Sequence, residues 1–238
     1  MGVNYTLTPL GDQAVMIKFG QAIGQEEYEK VMKAVMHLDQ VSEDWLIEIV
    51  PSYTSITVFY DPVLLHQQET AYSPYEMACM RLRDIMSERS HHESKTERLI
   101  EIPVCYGGEL GPDLSFVARH NRLSEDEVIE LHSSGEYLVY MLGFAPGFPY
   151  IGGMNKRISA PRKETPRLSI PPRSVGIAGE QTGIYPIETP GGWQVIGRTP
   201  KALFLPDEDP PALLQAGDRI SFKPISYDEY LSLGGDKS

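Results

Sequence analysis

The sequence predicts an α+β protein, with a small α/β sandwich at the N-terminus followed by a mainly β domain. Three observations support this prediction. The first ninety residues follow the order β, α, β, β, α, a wholly polar stretch then interrupts the apolar pattern, and short strands separated by glycine and proline follow. The chain has 238 residues, which is enough for two domains of ordinary size.

The N-terminal domain is predicted over residues 1–88. A strand at 14–19 alternates in polarity, and the segment 25–38 then changes to the apolar spacing of an amphipathic helix. Two further strands are predicted at 45–49 and 55–60. This order indicates an antiparallel-containing sheet with its helices on one face.

A capping motif marks the start of the second helix of this domain. Ser73 is followed by Pro74 at the first helical position, and Glu76 completes a capping box. The next segment, residues 89–98, contains no aliphatic or aromatic side chain and is predicted to be a linker. Its adjacent histidines have no further ligands at suitable spacing, so we predict no metal site there.

The C-terminal domain is predicted over residues 99–238. It opens with a strand at 99–106 and a helical stretch near 113–120, and Ser124 with Glu127 forms a capping box for another helix. The nearly continuous apolar run that follows this helix predicts a strand buried on both faces. Further short strands are predicted at 175–178, 193–197 and 218–224. Turn signals at such close spacing favour a β-barrel or sandwich with elaborated loops.

Charge and composition exclude several classes of protein. Twenty-one bases and thirty-three acids give a net charge of −12, which argues against nucleic acid as a partner. No apolar run approaches ~18 residues, so no membrane span is predicted. Two cysteines and the absence of a secretory signal pattern predict a reduced, cytoplasmic protein.

The charge is unevenly distributed along the chain. Residues 156–201 carry eight bases against three acids, a local balance of +5 within an acidic protein. Such an island is either a focused site for a small anion or a solvated loop face. No P-loop, dinucleotide-binding glycine motif, nucleophile elbow or zinc-binding motif occurs, so the usual catalytic signatures do not explain it.

Stiff loops rich in glycine and proline contain the candidate binding residues. Arg162, Arg167 and Arg198 have the planar donor fork that binds carboxylate or phosphate with two bonds. Gln181 both donates to and accepts from an amide. Tyr185 and Trp193 would wall a pocket that excludes water, whereas Phe144 and Phe148 are expected to close the barrel.

Two further features leave alternatives open. His132 lies in the last turn of a predicted helix, where the helix dipole favours the charged imidazole, so it is a candidate acid/base or a structural histidine. Asp113 and Glu109 flank glycine turns and are either cation ligands or, for Asp113, a helix N-cap.

Four long motifs resemble one family. They are EIPVCYGGELGPDLSFVA, LHSSGEYLVYMLGFAPGFPYIGGM, the PRxxxPR pair and AGEQTGIYPIETPGGWQVIGRT. The chain resembles the B subunit of 5-oxoprolinase, also called the Kip-type inhibitor of sensor histidine kinase and formerly allophanate hydrolase subunit 1. The resemblance extends from residues 10–19 to 217–222.

The resemblance implies a cyclophilin-like β-barrel in the C-terminal domain. It implies a subunit that works with subunits A and C to open 5-oxo-L-proline to L-glutamate, with ATP as a co-substrate shared with a partner and Mg²⁺ accompanying the nucleotide. On this basis Arg167 and Gln181 are expected to be catalytic, and His132 is added as a catalytic candidate from its position at the end of the helix. The expected substrate-binding residues are Arg162, Tyr185, Trp193 and Arg198.

Two other functions remain as alternatives. The same resemblance allows a module that docks on a sensor histidine kinase and blocks its autophosphorylation. A stand-alone prolyl isomerase would rest on analogy with the barrel alone. The family usually has Pro-Ala-Gly-Ser where this chain has Pro171-Pro172-Arg173-Ser174. We therefore expect either a reshaped loop at Arg173 or a conformation that never required glycine.

Overall fold

The structure is a computed structural model that describes residues 4–22, 24–87 and 98–236. The chain divides into two compact units, Met1–Lys95 and Thr96–Ser238. The predicted linker, residues 89–98, lies outside the described residues except for Arg98.

The first unit contains a four-stranded antiparallel sheet and three helices. Its strands are β1 (Thr6–Pro9), β2 (Ala14–Lys18), β3 (Leu46–Pro51) and β4 (Ser55–Tyr60), and its helices are α1 (Gln25–Asp39), α2 (Pro62–Gln68) and α3 (Pro74–Ser87). The strand order is β1-β2-β4-β3. Helix α1 contacts α3, and both contact the sheet, which confirms the predicted sandwich.

Sequence patterning explains the core of this unit. Val15 and Ile17 on β2 and Ile56 and Val58 on β4 alternate with less buried residues, so one face of the sheet is apolar. Side chains from the helices cover that face, including the fully buried Leu82 of α3. The predicted capping box at Ser73 is present, with hydrogen bonds in both directions.

The second unit is built on a closed seven-stranded barrel. The strands of the whole unit, of which β8 and β11 lie outside the barrel, are β5 (Leu99–Tyr106), β6 (Tyr137–Leu142), β7 (Pro149–Gly152), β8 (Arg167–Ile170), β9 (Ser174–Ala178), β10 (Gln181–Ile184), β11 (Thr189–Gly191), β12 (Gln194–Arg198) and β13 (Arg219–Pro224). Its helices are α4 (Leu114–Asn121), α5 (Glu125–Ser133) and α6 (Tyr227–Ser232), with a 3-10 turn at Lys156–Ile158. The barrel order is β10-β7-β6-β13-β5-β12-β9, and β8 and β11 form a separate two-stranded sheet.

The barrel interior is filled by aliphatic and aromatic side chains. Val175 and Ile177 of β9 and Ile184 of β10 belong to this core, so the paired residues Gly176 and Gly183 lie on the outer face. The α+β class with a β-barrel is therefore confirmed.

Two elements of the first unit are absent from the sequence prediction. Strand β1 is largely exposed and has no strong polarity pattern, so only its pairing with β2 defines it. Helix α2 begins at Pro62 and is capped by Asp61, whose side chain accepts hydrogen bonds from the backbone N–H groups of Val63 and Leu64. That Asp-Pro start signal is present in the sequence, and the prediction missed it.

Candidate functional site

Aromatic rings cover part of the outer surface of the barrel. Phe148, Tyr185 and Trp193 meet edge to face, with ring centroids 5.6–6.3 Å apart. They lie over strand positions that carry glycine. A Cβ atom at Gly183 would come within 3.0 Å of the Trp193 ring, and one at Gly176 within 3.2 Å of Trp193. The glycines therefore let the indole pack directly on the backbone of β9 and β10.

Asp113 anchors residues 160–167, here named the basic loop, to this surface. Its carboxylate accepts two hydrogen bonds from Arg167, at 2.7 and 2.8 Å, and one from Lys163 at 3.2 Å. The backbone N–H of Val195 donates a fourth bond at 2.7 Å. Asp113 thus joins the loop, strand β12 and the start of α4.

The charge state of Asp113 follows from these contacts. Burial by itself raises the pKa of a carboxyl group, and here it opposes the hydrogen bonds from Arg167, the Val195 N–H and Lys163. The hydrogen bonds prevail, and the pKa of Asp113 lies below its ordinary value. The carboxylate is therefore ionised and neutralised by the two basic side chains.

This arrangement bears on the predictions for Asp113 and Arg167. Asp113 occupies the N-cap position of α4, but its side chain makes no capping bond because it binds the basic loop instead. Arg167 presents its donor fork to Asp113, so the fork is not directed at a substrate. The catalytic role expected for Arg167 gains no support from this geometry, and Arg167 acts in positioning the loop.

Arg162 and Tyr185 form the polar part of the candidate site. Arg162 is exposed in the same loop, and its charge acts on the buried Tyr185 hydroxyl. Burial raises the pKa of Tyr185 to about 12, although Arg162, a backbone hydrogen bond from Trp193 and Arg167 oppose the shift. Tyr185 is consequently a neutral hydrogen-bonding group beside a cation that is open to solvent.

The backbone closes tightly around Tyr185. A Cβ atom at Gly191 would lie 2.5 Å from the Tyr185 hydroxyl oxygen and 2.7 Å from Ile170. The N–H of Lys163 donates to the carbonyl of Gly192 at 2.7 Å, which ties the basic loop to the PGGW turn. Of the predicted residues, the structure thus brings together Arg162, Arg167, Tyr185 and Trp193.

Gln181 lies apart from Tyr185, whereas Arg198 is one strand away from it, because the Tyr185 N–H donates to the carbonyl of Ser174, the residue that pairs with Arg198. Gln181 begins β10 and Tyr185 follows its other end, so four residues of extended chain, roughly 13 Å, separate them. Arg198 ends β12 and pairs with Ser174 of β9 and Cys105 of β5. The expected site residues therefore do not converge on one point.

His132 is neutral, so the expectation of a charged imidazole at the helix end is wrong. It is fully buried, and desolvation lowers its pKa to about 3, which outweighs the helix dipole. Its Nδ1 bonds the Tyr106 hydroxyl at 2.7 Å and its Nε2 bonds Thr182 at 2.9 Å. Both ring nitrogens are engaged inside the barrel, and its expected catalytic role gains no support from this position.

Arg173 contradicts one of the two alternatives predicted for its loop, namely that the conformation never required glycine. Its φ of 69° lies in the left-handed region, so an arginine adopts the conformation that favours glycine. The guanidinium donates to the carbonyls of Pro200 and Gly234 and binds Asp236. These contacts offset the strain of the backbone.

Phe144 departs from the prediction, and Phe148 packs in the outer aromatic cluster with Tyr185 and Trp193 and not in the barrel core. Phe148 is buried, but Phe144 is 68% exposed, with a φ of 70°. It belongs to a shallow depression of about 370 Å³. The lining residues are Leu142, Gly143, Phe144, Ala145, Pro146 and Gly147.

Sequence reasoning missed two contributors to the site. Lys163 lies within the PRKETPR motif but was not singled out, and its charge next to Arg162 and Arg167 was a usable signal. Gln194 donates to the carbonyl of Pro161 at 2.8 Å. Nothing in the local sequence distinguishes Gln194 from other strand residues.

The barrel and its basic loop define the class of protein. The family model described as "Carboxyltransferase domain, subdomain C and D" matches residues 5–214. The chain is 52% identical to the 5-oxoprolinase B subunit of Bacillus subtilis over 97% of each chain. It is 41% identical to the protein of the same name from Escherichia coli O157:H7, covering 90% of this chain and 94% of that one. The chain therefore belongs to the family of 5-oxoprolinase B subunits, as the sequence motifs predicted.

Solved structures share the fold of this chain. A conserved uncharacterized protein from Pyrococcus horikoshii is 44% identical, with a TM-score of 0.55, over 94% of this chain and 100% of that chain. The urea carboxylase of Kluyveromyces lactis is 17% identical, with a TM-score of 0.74 over 98% of this chain and 23% of that one. The second likeness shows the fold alone. Among the described residues, no helix is long and apolar enough to cross a membrane.

Proposed function

We propose that this chain is a subunit of an ATP-dependent 5-oxoprolinase that opens 5-oxo-L-proline to L-glutamate together with partner subunits A and C. The observation that carries the proposal is the 52% identity, over 97% of both chains, with a protein named as the B subunit of 5-oxoprolinase. We place the enzyme in the cytoplasm, in keeping with its two free, buried cysteines.

The chemistry of the substrate explains why ATP is required. A lactam carbonyl is a poor electrophile, because the ring nitrogen donates electron density to it. Transfer of a phosphoryl group from ATP to the carbonyl oxygen, with release of ADP, would activate the carbonyl carbon. Addition of one water and cleavage of the C–N bond, with the ring nitrogen taking the proton, would give an acyl phosphate. A second water would then release inorganic phosphate and L-glutamate. Both the substrate carboxylate and the phosphoryl oxygens are negative, so the site needs fixed positive charge.

Arg162 is the best placed source of that charge. It is exposed, it lies beside the buried Tyr185 hydroxyl, and its loop is fixed by the bonds of Lys163 and Arg167 to Asp113. We assign Arg162 to binding the substrate or phosphoryl oxygens. Trp193 and Tyr185 wall the site, and the ATP and its Mg²⁺ are shared with a partner subunit. We propose no direct contact to substrate for His132 or Arg167.

Reconstitution tests the proposed function. ADP release that depends on 5-oxoproline would be measured for this chain alone, for candidate subunits A and C alone, and for all three together. We expect turnover only in the full mixture, with one glutamate formed per ADP. Absence of turnover, with all three subunits shown to be folded, would overturn the proposal and favour kinase inhibition instead.

A matched pair of variants tests the site. Arg162→Gln and Arg157→Gln each remove one exposed positive charge from the same region of the chain. In the reconstituted mixture we expect Arg162→Gln to lower kcat/KM at least tenfold, which corresponds to about 1.4 kcal/mol of lost transition-state stabilisation. Arg157→Gln should stay within about twofold of the unmodified chain. Equal effects would show that only the overall charge matters.

A further inference from the structure

A second polar cluster lies on the outer face of the barrel, on neighbouring strands. Arg198 of β12 pairs directly with Ser174 of β9 on one side and with Cys105 of β5 on the other. Directly opposed residues share a face of the sheet, with Cα atoms roughly 5 Å apart. Because Val104 and Val175 point into the core, their neighbours Cys105 and Ser174 point outwards.

Polar atoms of this row lack partners within the protein. The Ser174 hydroxyl is fully buried, and its Oγ has no hydrogen-bond partner among the described residues. The Nε of Arg198 is likewise buried without an acceptor among those residues. An unpaired buried donor is unfavourable, and more so when the group is charged, so native proteins seldom leave two such atoms together.

The surroundings of the row favour an anion. Burial raises the pKa of the Cys105 thiol, so the cysteine is neutral and supplies no counter-charge to Arg198. The carboxylate of Asp236 binds Arg173 and not Arg198. Tyr230 of α6 packs with Cys105, and its buried hydroxyl also has no partner among the described residues.

We propose that Arg198 and Ser174 form a subsite for one small oxyanion, either a carboxylate or a phosphate group. The Nε–H of Arg198 and the Ser174 hydroxyl would each donate to an oxygen of the anion, and Tyr230 is a candidate third donor. The subsite adjoins the candidate site, because the Ser174 carbonyl accepts a hydrogen bond from the N–H of Tyr185 at 2.9 Å. It is a property of the isolated chain and does not depend on the proposed reaction.

The Arg198 Nε–H signal in an NMR spectrum of the full chain reports on this subsite directly. Inorganic phosphate, acetate and 5-oxo-L-proline would be titrated separately at constant ionic strength. We expect the Arg198 Nε–H proton to move downfield and saturate with at least one probe at millimolar concentration, about the affinity of a single small anion. Saturation by phosphate alone assigns a phosphoryl group, and saturation by the carboxylates assigns a carboxylate.

Two serine variants distinguish a specific anion site at Arg198 from nonspecific attraction of anions to the positive charge. Ser174→Ala should weaken the saturating probe about tenfold, because a hydrogen bond to a charged group is lost. Ser169→Ala, an exposed serine on β8, should leave the affinity unchanged. Ser174→Ala removes only a buried hydroxyl without a partner among the described residues, so the variant is expected to fold. The proposal is overturned if no probe saturates the Arg198 signal, or if both variants bind the probe equally well.

Discussion

Arg173 shows how a single side chain offsets an unfavourable backbone conformation. A residue other than glycine with a φ of 69° carries a steric cost, because its Cβ crowds the adjacent carbonyl. The guanidinium recovers free energy by bonding two carbonyls, those of Pro200 and Gly234, and the carboxylate of Asp236. The side chain therefore ties the loop before β9 to the segment that follows α6.

Two replacements of Arg173 separate the energetic cost of its left-handed backbone from the stabilisation by its hydrogen bonds. Arg173→Ala loses the hydrogen bonds and keeps the left-handed strain, whereas Arg173→Gly loses the same bonds and relieves the strain. We expect the glycine variant to be more stable than the alanine variant by about 1 kcal/mol. Urea unfolding of the two variants measures the difference. An alanine variant as stable as the glycine variant would show that the backbone relaxes when the guanidinium is removed.

At the scale of elements, the two-stranded sheet of β8 and β11 holds the candidate site. Gly191 of β11 pairs with Arg167 of β8, and its missing side chain leaves room for the Tyr185 hydroxyl. Asp113 adds a second connection, because it links the basic loop to β12 and to the start of α4. The loop geometry thus depends on one small residue and one buried carboxylate.

Neighbouring glycines provide a matched test of this packing. A methyl group at Gly191 would lie 2.5 Å from the Tyr185 oxygen, whereas one at Gly192 would make ordinary contacts at 3.6–3.9 Å. We expect Gly191→Ala to destabilise the chain by about 1–3 kcal/mol, and Gly192→Ala to change stability by less than about 1 kcal/mol. Denaturant unfolding of both variants checks this. Equal stability would mean that β11 moves freely away from Tyr185.

Removal of the Asp113 charge tests the second connection. Asp113→Asn leaves Arg167 and Lys163 without this counter-charge, and we expect a loss of about 2–3 kcal/mol, measured by urea unfolding. This is below the figure for a fully buried pair, since the Arg167 and Lys163 side chains are 28% and 31% exposed. Glu109→Gln, which removes an exposed acid from the turn before α4, is the control. An Asp113 variant with unchanged stability would show that the loop is held by packing alone.

For the whole molecule, buried ionisable groups set the response to acid. His132 takes up a proton near pH 6.5 when the chain is unfolded, but only at about pH 3 when it is folded. Its contribution to stability is therefore complete above pH 6.5 and is lost as the pH falls from 6.5 towards 3. Asp113 acts in a lower range, because its pKa lies below the ordinary value of 3.8. Burial raises the pKa of Asp218, so this group favours the folded state as the pH falls through its pKa, which is the opposite of the effect of Asp113.

The effect of His132 on the free energy of unfolding is thus best separated from that of the carboxyl groups between about pH 6 and pH 5. There we expect the free energy of unfolding to fall by up to about 1.4 kcal/mol per pH unit, the value for one proton. Urea unfolding across this range measures the slope, and His132→Gln should reduce it. The imidazole ¹⁵N shifts of the unmodified chain should still report a neutral ring at pH 5. A charged ring at that pH would contradict the prediction even if the variant failed to fold.

Local patterns in the sequence determine most of the elements and the family. The period changes between strands and helices, the capping boxes at Ser73 and Ser124, and the long glycine and proline motifs are all properties of neighbouring residues. The positive charge of the basic loop is also evident from Arg162 and Arg167. Each of these features depends on residues a few positions apart, so no tertiary information was needed.

Only the tertiary structure decided which charges are neutralised and which side chains meet. Asp113 and Arg167 are 54 positions apart, and His132 and Thr182 are 50 apart. Closure of the barrel brings these pairs together and removes water from them, so burial reverses the helix-dipole prediction for His132. The sequence by itself determined that the chain has basic, conformationally fixed loops on an α+β fold. Which arginine faces solvent and which binds a carboxylate depends on desolvation and long-range contacts, and these exist only in the folded chain.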